Sequence, residues 1–120
     1  MELDKNTTDC LAEIEKIRGE IAQSRGVLLP NRTVEVLGLL ANYFYKFSEL
    51  HGKHKAMRNH FFAAYLQQDM SIGKAEGLAK GTEEGQKEVY FENIAAGLQE
   101  IIQAQKKMLD HFNNQAKNLT

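Results

Sequence analysis

The sequence predicts an all-α protein: a short N-terminal helix followed by a long antiparallel helical hairpin. Three observations predict it. The chain holds one proline, Pro30, and no tryptophan, and alternating apolar and polar runs are almost missing, so strands have little to build on. Apolar residues recur instead at three- and four-residue steps, the spacing that collects them on one side of a helix. The clearest case is Ile94, Leu98, Ile101, Gln105, Met108 and Phe112, which reproduce the 3.5-residue repeat of a coiled-coil seam.

The first helix is expected over about residues 7–25. Asn6 or Thr7 can cap it, Cys10, Ile14, Ile17 and Ile21 form a narrow apolar stripe, and Gly26 ends it. Pro30 pushes Leu29 out of helical geometry, so residues 26–30 read as a connector. Asn31 or Thr33 then caps a second helix over about 32–67, with Leu37, Leu40, Phe44, Phe47, Phe61, Phe62, Tyr65 and Leu66 on its apolar side and a bend expected at Gly52. Gln67-Gln68-Asp69 and the N-cap Ser71 mark a tight turn between antiparallel helices. A third helix is expected over about 72–115. Ile102 and Leu109 widen its seam to a second side, which suits a helix with two neighbours.

At 1.5 Å per residue the two long helices would run roughly 54 and 63 Å, against a radius of gyration near ~14 Å for a compact globule of this length. An elongated single domain is therefore expected, with apolar surface that one short helix cannot cover, and self-association is the natural way to bury it. The alternative is a compact bundle of four or five helices, reached if Gly52 and Gly81 break both long helices.

Composition narrows the function classes. The 120 residues carry fifteen Lys and Arg against sixteen Asp and Glu, a net charge of −1, so no overall field draws the chain to nucleic acid or an anionic membrane. The longest apolar stretches fall far short of the roughly 18 residues a membrane span needs. With one cysteine, Cys10, and no apolar leader, a reducing cytoplasm is expected. The acceptor-type triplets at Asn6, Asn31 and Asn118 then read as chance matches.

Glycines stand at every fourth position from 73 to 85: Gly73, Gly77, Gly81 and Gly85. On a helix they would line a groove that another backbone can approach, which makes Gly77 and Gly81 candidate interface residues together with Ile102 and Leu109. Four glycines also weaken a helix by about 1 kcal/mol each, so a loop is the competing reading. The spacing matches no phosphate-binding loop.

Lys46, His51, Lys53, His54, Lys55, Arg58 and His60 form the one basic patch, and seven of the ten aromatics flank it. Cations interleaved with aromatics can hold a phosphate and stack a base. Lys46, Lys55, Arg58 and Tyr65 are accordingly the candidate ligand-binding residues. A hairpin turning near Met70 would instead set Lys55 and Arg58 beside Glu83, Glu84 and Gln86, with Glu88 opposite Gly52 and Lys53, and the patch would then neutralise an acidic neighbour. A solvated surface is the third reading. His51 and His54 are one turn apart, but no carboxylate or cysteine completes a ligand set at sequence spacing, and His111, Ser48, Ser71 and Cys10 stand in no catalytic signature. No enzyme, metal or cofactor is expected.

The short helix and long hairpin, the aromatics of 43–47, Arg58, the run Lys74-Ala75-Glu76 with Ala79-Lys80, and a Gln- and Lys-rich last helix through Lys106-Lys107 resemble small all-helical accessory proteins of bacteriophages over residues 37 to 117 or so. The resemblance implies binding instead of catalysis, in the setting of recombination accessories or inhibitors of host defence, and it assigns no functional residue. The expectation is a non-enzymatic helical oligomer that binds a partner protein, plausibly a host defence component, or a small anionic ligand. A single-stranded nucleic-acid accessory and a purely structural assembly factor are the alternatives.

Overall fold

The computed structural model describes residues 1–118, so the triplet at Asn118 runs into residues 119 and 120, outside the described residues. Four helices follow in order: α1 (Lys5–Gln23), α2 (Pro30–Gln67), α3 (Ile72–Gly81) and α4 (Glu83–Asn118), with no strand among the described residues. The protein is all-α. The boundaries differ from expectation in three places, each for a local reason.

α1 starts two residues early because Asp4 caps it, its carboxylate accepting the Thr7 backbone N–H at 2.7 Å. The helix closes through Arg25 and Gly26, both at positive φ, with the Gly26 N–H donating to the Ile21 carbonyl at 2.8 Å; glycine takes that left-handed geometry without strain. Pro30 belongs to α2 as its first residue and not to the connector. A proline there loses no helical hydrogen bond and presets φ, while the buried Thr33 hydroxyl donates back to the Leu29 carbonyl at 3.1 Å. α2 then continues unbroken through Gly52 for 38 residues.

The third correction is larger: the expected helix of 72–115 is two helices divided at Thr82. Thr82 is extended (φ −66°, ψ 161°), and its hydroxyl donates to the Ala79 carbonyl at 2.6 Å while accepting the Gly85 N–H at 3.1 Å. One side chain therefore closes α3 and caps α4. Glu83 and Glu84 follow in the first turn of α4, where negative charge suits the helix dipole. Ser71 caps α3 as expected, accepting the Lys74 N–H at 3.3 Å.

The chain forms two compact units, residues 45–96 and residues 2–44 with 97 onward. In the second, Ile14 and Ile17 of α1, Leu28 of the connector, Val36 and Leu40 of α2, and Leu98 of α4 are buried. Arg32 ties α2 to α1, its Nε donating to Glu20 at 2.8 Å, and these hydrogen bonds to Glu20 and then Glu35 hold its pKa above the usual arginine value. In the unit of 45–96, Phe47 and Phe91 are the large buried side chains, their ring centroids 5.9 Å apart, and Ala75 and Ala79 are the buried residues of α3 in the same unit.

Candidate functional site

Within the unit of 45–96, α2 and α4 run antiparallel in a register that side-chain pairs make explicit. Phe47 meets Phe91, His51 meets Glu88, and His54 meets Glu84. His51, His54 and Arg58 recur at three and four residues along α2, and Glu84, Glu88 and Glu92 at four along α4. Each row lies on one helical face, so antiparallel packing sets cation against carboxylate.

Glu88 is the centre of this network. Its side chain is buried, at 5% exposure for the residue, and a carboxylate there must be matched by charge and hydrogen bonds. His51 Nε2 lies 3.2 Å from its Oε1, and Arg58 Nη1 donates to its Oε2 at 3.3 Å. Glu92 approaches the same imidazole nitrogen at 3.8 Å from the exposed side. One turn along, His54 Nδ1 pairs with Glu84, and its ring stacks on Phe91 with centroids 5.4 Å apart.

Three of the seven residues of the basic patch, His51, His54 and Arg58, are thus engaged in interhelical pairing. Arg58 contacts Glu88, about one turn beyond the Glu83 and Glu84 region expected for it, and the histidines take the nearer carboxylates. Arg58 also borders a cleft of about 240 Å³ shared with Asn59, Phe62, Glu76, Ala79 and Lys80. Tyr65, Lys55 and Lys46 do not line it. Tyr65 is half-buried, Lys55 is exposed, and Lys46 is half-buried with a partner of its own. The four candidate ligand residues therefore do not converge on this cleft.

The glycine groove is not found within the chain. A methyl group at Gly73, Gly77 or Gly81 would meet nothing within 4 Å, because the inner face of α3 is Ala75 and Ala79 and these glycines point away from it. Gly85 differs. A methyl there would lie 2.5 Å from the Ala79 and Lys80 carbonyl oxygens, at the junction closed by Thr82. Along α4, Leu98 and Gln105 are buried, whereas Ile102 and Leu109 are half-buried.

Sequence reasoning passed over His51, Glu88 and Glu92 as a set, since their approach is across helices and not along one. The signal was present in the two rows at helical spacing, once joined by the Ser71 turn. Among known proteins nothing matches this chain: no family, no curated protein and no solved structure.

Proposed function

We propose that the chain is a non-enzymatic helical binding protein that self-associates and captures a partner protein, in the manner of the phage accessory proteins it resembles, with a host defence component as the class of partner. One observation carries this reading. The ionisable side chains that could do chemistry are turned on one another in the His51, His54, Arg58 and Glu84, Glu88, Glu92 rows, while large apolar side chains such as Leu29, Val34, Tyr45, Met57 and Phe61 stand exposed. Exposed apolar side chains on each unit support association where they adjoin one another. The half-buried flank of Ile102 and Leu109 is the surface assigned to the second copy.

The native mass of the purified protein tests the proposal directly. A dimer or larger species is expected, and Ile102→Glu or Leu109→Glu should dissociate it; a monomer at micromolar concentration removes it. Capture of a small anion is a second reading, favoured by the cleft that places Arg58 and Lys80 on one lining, although Glu76 shares it. Single-stranded nucleic acid is the third, and salt separates it from the others: strand binding weakens steeply as counterions are released, whereas an apolar protein interface holds. With no tryptophan and four tyrosines in the chain, co-purifying nucleic acid would dominate the absorbance ratio.

A further inference from the structure

The network around Glu88 gathers two imidazoles and three carboxylates about a single arginine, Arg58. Lys87, the nearest lysine in sequence, is engaged with Glu83 at 3.3 Å. Imidazole nitrogen and carboxylate oxygens that converge at a partly buried position are the donor set of a divalent cation.

The geometry narrows the position. His51 Nε2, a Glu88 oxygen and a Glu92 oxygen all lie within 4.8 Å of one another. A tetrahedral zinc ion with bonds of about 2.1 Å sets its ligand atoms ~3.4 Å apart; here His51 Nε2 is 3.2 Å from Glu88 Oε1 and 3.8 Å from Glu92 Oε2. The Glu92 side chain is 59% exposed, so it can swing inward without disturbing the core. Arg58 holds Oε2 of Glu88, which leaves Oε1 directed at the imidazole, the kind of outer contact that orients a ligating carboxylate. We propose that His51, Glu88 and Glu92 bind one divalent transition-metal cation, with its remaining coordination open on the solvent side next to Glu92. One imidazole nitrogen and two carboxylate oxygens select zinc or its first-row neighbours over calcium and magnesium.

The test is titration of the full chain with zinc, followed by calorimetry and by thermal unfolding, and with cobalt as a visible-absorbing substitute. Expected is saturable binding of one ion per chain, with Tm rising by several degrees once zinc exceeds its Kd ~100-fold. Glu92→Gln, at an exposed position, should weaken zinc binding more than tenfold and remove the cobalt absorption while leaving the metal-free Tm nearly unchanged. His51→Gln should likewise weaken zinc binding and remove the cobalt absorption, with a lower metal-free Tm because buried Glu88 loses a partner, and Glu83→Gln should leave binding intact. Binding that survives Glu92→Gln and His51→Gln but disappears in a His60→Gln, His111→Gln double variant would place the ion on exposed histidines and overturn the site. So would the absence of saturable binding.

Discussion

Gln105 is a buried polar residue in an otherwise apolar seam, and its side-chain oxygen has no hydrogen-bond donor. An unmatched buried acceptor costs about 1–3 kcal/mol, so Gln105→Leu, shorter and branched at Cγ, is expected to raise stability in a denaturant titration; Gln105→Met, unbranched like glutamine, is the shape-matched check. The glycines separate by sign. Gly77 is open and helical, so Gly77→Ala should stabilise by about 0.5–1 kcal/mol, whereas Gly85→Ala drives a methyl into two carbonyl oxygens and should cost ~1–3 kcal/mol. A fall in Tm for Gly77→Ala would mean that a second copy packs on that face. Tyr43 supplies the pH dependence. Burial, followed by the nearby Cys10 and Glu13, raises its pKa above the ordinary tyrosine value. The contribution tied to the protonated hydroxyl is therefore intact below about pH 10 and is lost as pH rises through the folded-state value. Alkaline unfolding of Tyr43→Phe should be shallower than that of the parent.

At the scale of elements, helical periodicity and the Ser71 cap were legible, whereas the Asp4 cap of α1 and the junction at Thr82 were not. The Asn-Arg-Thr segment at 31–33 offers two cap residues, yet Pro30 starts α2, since a preset φ with no N–H to satisfy needs no polar cap. The break between α3 and α4 was hidden because evenly spaced glycines on both sides preserve helical register, so the sequence reads through them. The local evidence was the triplet Thr82-Glu83-Glu84, a cap followed by two acids. Thr82→Ala should cost about 1 kcal/mol, measured by thermal unfolding, and Thr82→Ser should recover most of it. Pairings across the hairpin were legible to within about one turn, which is as far as a turn position can specify them: the histidine–glutamate pairs depend on side-chain reach, and no spacing along a single helix encodes it.

For the molecule as a whole, no helix among the described residues is long and apolar enough to cross a membrane. Charge neutralised within the hairpin and apolar groups left outside are two halves of one pattern, and Arg58 tests how firmly they are joined. Arg58→Glu would set a carboxylate beside buried Glu88, so loss of stability is expected, whereas Arg58→Met with Glu88→Met together should restore much of it. Retained stability in Arg58→Glu would return Arg58 to the role of a ligand group. Cohesion is also unevenly distributed along the chain. α3 is 10 residues long with only two buried side chains, both alanine, and so short a helix has little stability of its own. It is held by a hydroxyl at either end, Ser71 and Thr82. Opening of α3 alone would leave the Phe47–Phe91 contact between α2 and α4 in place, so its amide protons should exchange with solvent well before theirs, and limited proteolysis should make its first cut between Gly73 and Gly81.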